Sequence, residues 1–214
     1  MDDAVLLASL DGASSEIAQV IALLGAAGFD DPEHLSVGEG DRHLLALYRS
    51  VAGEALAILV SCPACGELCE APVDPGELPP PSPRVAVLGS GGGLREPTYA
   101  DLLELPGDAA EAVRVLCTRC VVGSPSRAPD ASDLELVDDS LAGPICFACS
   151  GCDEPITVDV DVEQMVVERL VRQAHGIDRE IHALASAYHW SLREIESLGE
   201  DRRHALAELI SETV

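Results

Sequence analysis

The sequence predicts an α+β fold: a mainly helical N-terminal part, two β hairpins, and a long C-terminal helix followed by two short helices. Three observations point to it. Cys62-Pro63-Ala64-Cys65 and Cys149-Ser150-Gly151-Cys152 each sit beside apolar, strand-like runs. Leu170, Ala174, Ile177, Ile181, Leu184 and Tyr188 recur at alternating four- and three-residue steps, the period of one helix face. Ile17, Val20, Ile21 and Leu24 do the same near the start. The regions predicted are 1–54, helical; 55–162, ribbon-like β structure carrying a helical and loop insertion over 74–143; and 163–214, helical.

Taken in order, residues 4–27 read as helical, with Ser14 or Ser15 as a cap and Gly25 and Gly28 near the end. Phe29 to Gly40 reads as a loop, because it holds Asp30, Asp31, Pro32 and two glycines. Asp41 then opens a short helix that offers Leu44, Leu45, Leu47 and Tyr48 for packing and stops at Gly53. A hairpin from Ala55 to about Val73 carries the first cysteine pair at its turn. The six prolines of residues 72–84 fix φ and remove donors, so that stretch reads as an extended linker or edge segment.

Val85 to Leu88 reads as a strand running into Gly89-Ser90-Gly91-Gly92-Gly93, a hairpin tip or loop. A phosphate-cradling loop would need a helix directly afterwards; Arg95-Glu96-Pro97 follows instead. Thr98 caps a short helix through Leu105, and another runs from about Ala109 to Cys120. Residues 121–140, rich in Ser, Pro and Asp, read as a mobile acidic loop. The second hairpin spans about Pro144 to Val162, and the long helix about Val162 to Ala187. Its apolar seam reads as an internal core face before a partner contact. Tyr188-His189-Trp190 breaks the pattern, and Ser191-Leu192-Arg193-Glu194 is a capping box that starts a new helix. Gly199 ends it, and a terminal helix runs from about Glu200 to Ser211.

Composition narrows the function classes. The formal charge is -25, and all 13 basic residues are arginine, with no lysine. A nucleic-acid partner is disfavoured, since phosphate-backbone affinity rests on clustered cations. Met1-Asp2-Asp3 is acidic where a signal peptide would be basic, and the apolar runs fall short of the ~20 residues that span a bilayer. The expected location is therefore a reducing cytoplasm, where eight cysteines read as metal ligands and buried thiols rather than disulfides.

Two Cys-x-x-Cys turns on two hairpins can bring four thiolates to one point, the form of a zinc ribbon. The predicted Zn2+ ligands are Cys62, Cys65, Cys149 and Cys152, with Cys146 an alternative to Cys149 because Cys146-x-x-Cys149 has the same spacing. Cys69, Cys117 and Cys120 are surplus. His175, His182 and His189 recur every seven residues, roughly 10 Å apart along a helix, too far to share one metal. No Ser-His-Asp or paired-carboxylate arrangement stands out, so the chain reads as a non-enzyme.

The order of parts resembles the baseplate hub assembly chaperone family of T-even-type contractile phages, relatives of which sit in phage-like contractile injection clusters. The resemblance rests on Asp41-Arg42-His43-Leu44-Leu45-Ala46-Leu47, on Cys62 to Glu67, and on Pro97-Thr98-Tyr99-Ala100-Asp101-Leu102-Leu103. It continues through the second cysteine pair, Glu180 to Ala185, Tyr188-His189-Trp190-Ser191, Glu194-Ile195 and Arg202-Arg203, covering roughly 35–210. Two departures stand out. Asp153 follows Cys152 where glycine would be expected, and Cys117-Thr118-Arg119-Cys120 is additional. The resemblance implies a protein that helps build a baseplate hub in the host cytoplasm, or is built into the tail baseplate. It implies hub or baseplate proteins as partners and brings no catalytic residues.

The sequence places the partner contact at Tyr188, His189, Trp190 and Arg193, where the chain turns between helices. Trp190 is the only tryptophan, and Arg193, Arg202 and Arg203 form the densest positive cluster. Two other readings stand beside this one: a zinc-ribbon nucleic-acid-binding or regulatory protein, and a Cys-x-x-Cys thiol oxidoreductase.

Overall fold

The structure is a computed structural model that describes residues 3–10, 13, 15–53, 55–73 and 85–211. It is α+β, with helices around three small antiparallel sheets. The expected single N-terminal helix is two, α1 (Asp3–Leu10) and α2 (Glu16–Ala26). Of the two candidate caps it is Ser15 that acts: its hydroxyl accepts the Ala18 N–H at 3.2 Å, and its extended backbone starts α2 afresh.

The stretch read as a loop is largely ordered. Pro32–His34 forms one 3-10 turn, and α3 (Val37–Ala52) begins four residues before Asp41. Ser36 and Glu39 form its capping box. Gly38 and Gly40 lie inside this helix for want of room. A Cβ on Gly38 would run into the Asp139 carbonyl oxygen, and one on Gly40 into the Tyr99 ring. Gly53 closes α3 in the left-handed region, φ 73°.

β1 (Leu56–Ser61) pairs antiparallel with β2 (Leu68–Val73), with Val60 opposite Cys69. β3 (Val85–Val87), β4 (Gly92–Arg95) and β5 (Val121–Gly123) form a three-stranded sheet in that order. Between β4 and β5 lie α4 (Tyr99–Leu102), three residues shorter than expected, and α5 (Ala109–Arg119). The proline-rich prediction for residues 74–84 lies outside the described residues.

Residues 121–140 correct the expectation of a mobile loop. They hold β5 and α6 (Ala131–Val137). Arg127 grips the Asp133 carboxylate with two 2.6 Å bonds, which draws that carboxyl below the usual range. Leu134 and Val137 pack on Leu88, Leu94 and Cys120. Burial pushes the Cys120 thiol up to about 12.

β6 (Ala142–Ala148) pairs with β7 (Pro155–Asp161), with Phe147 opposite Ile156. α7 (Val162–Tyr188) leaves directly from β7, capped by Asp161. Its predicted seam splits between two cores. Leu170, Ala174 and Ile177 join the core formed with α1, α2 and α3, whereas Leu184 joins Ile195 of α8 (Leu192–Glu196) and Leu206 of α9 (Glu200–Ser211). Tyr188, at the seam's end, is 40% exposed.

One buried polar joint went unforeseen. Asp41 is 1% exposed and accepts the Leu141 N–H at 2.7 Å. Its other oxygen and Glu163 Oε2 are buried without a donor, and the two carboxyls lie within hydrogen-bonding reach. Burial, with the Glu163 charge beside it, pushes the Asp41 carboxyl up to about 8 despite the Leu141 N–H. A proton retained between the two acids fits this arrangement.

Candidate metal centre

Each cysteine pair sits at the tip of a hairpin, and the two tips are built alike. The Cys62 N–H donates to the Glu67 carbonyl at 2.8 Å, and the Gly66 N–H returns to the Cys62 carbonyl at 2.9 Å. In the second hairpin Cys149 N–H donates to Glu154 at 2.9 Å, and Asp153 N–H returns to Cys149 at 3.0 Å. The offsets are the same. Both turns need a left-handed residue after the second cysteine, and Gly66 (φ 77°) and Asp153 (φ 58°) supply it. Aspartate is among the few side chains that enter this region readily, so the glycine expected there is dispensable.

The hairpins meet tip to tip. Cys62 Sγ lies 3.7 Å from Cys152 Sγ, and Cys65 Sγ 3.6 Å from Cys149 Sγ. All four sulfurs lie within 4.8 Å of one another. A disulfide would hold sulfurs at about 2.05 Å. A tetrahedral ion with metal–sulfur bonds of about 2.3 Å needs S···S edges of about 3.8 Å. The four cysteines thus have the spacing of a metal site. Cys62 and Cys149 are buried and Cys65 and Cys152 exposed, so the site has an inner and an outer edge.

The thiols are not equivalent. The Gly151 N–H, 3.3 Å from Cys149 Sγ, is the main reason that thiol is drawn down to about 6; the Cys152 N–H and the Cys62 and Cys69 thiols add to it against burial. Cys152 is pushed up to about 12: the Glu154 N–H opposes this, but the Cys65, Cys149 and Cys62 thiols with desolvation outweigh it. A metal ion would displace the protons that such crowded thiols otherwise retain.

Comparison with protein-family models, curated proteins and solved structures found no match.

The remaining candidates are placed as follows. Cys146 stays out of the cluster: it is exposed on β6, 3.3 Å from the Thr157 hydroxyl, so the second hairpin contributes Cys149 and Cys152. Cys120 is buried against the three-stranded sheet and Cys117 is buried on α5, and neither joins the four. His175, His182 and His189 are exposed. At the C-terminal corner His189 is left-handed (φ 56°), Tyr188 stacks on Trp190 with centroids 4.9 Å apart, and Arg193 is exposed. Trp190 is half-buried against the Leu184, Ile195 and Leu206 core. The positive cluster is smaller than the sequence suggests. Arg203 is buried, with its Nε 2.9 Å from Glu180 Oε2.

Cys69, surplus by sequence, lies against this cluster. It is buried with its Sγ 3.6 Å from Cys149 Sγ. The signal was in the numbering: Cys69 follows Cys62 by the same seven residues that separate Ile156 from Cys149. Among the described residues no helix is long and apolar enough to cross a membrane.

Proposed function

We propose that the four thiolates hold one zinc ion and that the chain is a non-enzymatic assembly factor or structural component of a contractile-tail baseplate hub, in a phage or a phage-like injection system. The observation that carries the metal reading is the convergence of two equivalently built turns on one sulfur tetrahedron. Four protein ligands fill a zinc ion's coordination and leave no position for a substrate, the arrangement of structural rather than catalytic sites. A tetrahedral set of soft thiolates suits zinc or iron, and a closed structural site with no redox task is served by redox-inert zinc.

The hub reading is supported by the family resemblance along 35–210 and by the corner that Tyr188, His189, Trp190 and Arg193 build. Two stacked aromatics and an exposed arginine there offer a partner an amphipathic anchor. A charge of -25 disfavours a polyanion as that partner. Two measurements test the reading. Elemental analysis of the purified chain should give about one zinc per molecule. Pull-down with hub and baseplate proteins should capture them, and Trp190→Ala with Arg193→Ala should weaken the capture. A sub-micromolar gel shift with nucleic acid, or turnover of a disulfide substrate, would overturn it in favour of a ribbon regulator or an oxidoreductase.

A further inference from the structure

Five sulfurs, not four, gather at the hairpin tips. Cys69 Sγ stands 3.6 Å from Cys149 Sγ, as close as the sulfurs of the tetrahedron stand to each other, but it is not part of the set within mutual ligand range. Its other polar neighbours are the Glu67 carbonyl and the Ser150 hydroxyl, each at 3.8 Å. Cys149 is the innermost of the four, 1% exposed. Once a metal is bound it carries a thiolate, out of reach of water, in a chain already strongly negative. Such a sulfur is stabilised by donors from the protein. The Gly151 N–H is one, at 3.3 Å. The Cys69 S–H is placed to be the second.

The near-symmetry of the two hairpins separates this role from packing. Val60 faces Cys69 in the first, and Phe147 faces Ile156 in the second. Cys69 and Ile156 therefore occupy the same station, each opposite the residue two positions before its hairpin's first cysteine, and both are 3% exposed in the same small core. An apolar side chain satisfies the packing at that station in one hairpin. The other hairpin places a thiol there, where it touches the opposite hairpin's ligand.

We propose that Cys69 is a positioning residue of the metal centre: its S–H donates to the Cys149 thiolate, ties the first hairpin to the second outside the coordination sphere, and slows loss of the metal. This rests on the metal reading above. A thiolate is a stronger acceptor than either neutral oxygen near Cys69, so metal loading turns the S–H toward Cys149. Partners of metal ligands that donate or accept in this way commonly change metal affinity about 10- to 100-fold when removed.

The test uses the full chain with Cys69→Val, which keeps an apolar side chain at the station, and Cys69→Ser, which keeps a donor. Each is loaded with Co2+ to read the thiolate-to-cobalt absorption bands, then with Zn2+ to time release to a chelator. Cys69→Val should shift the bands and release metal about 10-fold faster; Cys69→Ser should stay near the unaltered chain in both. If Val proves too large to fold there, Cys69→Ala makes the same comparison. Equal rates for Val, Ser and the unaltered chain, or equal acceleration in both variants, would overturn the donor role while leaving the metal site standing. Absence of cobalt–thiolate bands in the unaltered chain would instead overturn the metal reading and this inference with it.

Discussion

Among the described residues sixteen buried side chains close the core around α7, most of them Leu, Val or Ile; four close the hairpin unit, and three of those are cysteines. The first core stabilises by removing apolar area from water, about 25 cal/mol per Å2. The second has too few apolar side chains to offset the entropy of ordering two hairpins, and isolated two-stranded hairpins are marginal in water. One region is held by burial and the other by whatever joins four sulfurs. They meet at the base of the hairpins, where Leu56 of β1 lies in the helical core and Arg169 of α7 donates to the Ala57 carbonyl, whereas the sulfurs sit at the far tips; the tips and the helical core can therefore be perturbed separately.

The largest effect should come from the sulfurs. On the proposed zinc reading, stripping metal with a chelator removes a term of order 10–16 kcal/mol, and Cys149→Ser, which leaves three thiols, removes part of it. Hydrogen exchange should then show β1, β2, β6 and β7 losing protection while the middle of α7 keeps its own. Hairpins that stay protected without metal would erase the contrast. Next comes the opposite perturbation. Leu170→Ala, at a site with 0% exposure, should lower global stability by about 2–5 kcal/mol while metal content stays at the unaltered level. Loss of metal in that variant would mean the two regions are one cooperative unit.

Smaller again is Trp190→Ala, because the indole is only half-buried. A fall of about 1–3 kcal/mol in chemical denaturation is expected, confined to the corner of α7, α8 and α9. An unchanged stability with lost hub binding would make Trp190 an anchor rather than a lock. A pH test sharpens the helical side. The Asp41 carboxyl is raised to about 8, against about 4 when unfolded, so the fold favours its protonated form. That contribution is complete below pH 4 and is lost as pH rises through 8. Melting temperature should therefore decline from pH 5 to pH 9, and Asp41→Asn should flatten the decline. An Asn variant with the parent's slope would assign the titration elsewhere.

What the sequence disclosed and what it hid divide along the same line. The two hairpins and the gathering of Cys62, Cys65, Cys149 and Cys152 were legible because a Cys-x-x-Cys turn is specified within about six residues, by the left-handed position and the flanking β runs. The long helix was legible from its period. The start of α3 was not: Gly38 and Gly40 read as breakers, yet they are required by Asp139 and Tyr99, distant in the chain. Residues 121–140 looked too polar to order, but Arg127 neutralises Asp133, and Leu134 and Val137 find their apolar partners on strands from elsewhere. The Asp41–Glu163 joint joins two helices, and no local pattern announces it. Cys69 was legible in principle, but only once the two hairpins are laid over each other.

The distance along the chain between the two halves of the sulfur cluster sets an order of events at birth. Cys65 and Cys149 are 84 residues apart. At the usual pace of synthesis, about 5–20 residues per second, the first hairpin leaves the ribosome roughly 4–17 s before its counterpart. If the cluster holds the proposed zinc, the nascent chain carries half a chelate for that interval, able to hold an ion by two sulfurs but not to enclose it. Arrival of the second hairpin turns that loose hold into a closed ring around the whole insertion, so the timing of translation and the supply of metal meet at one step.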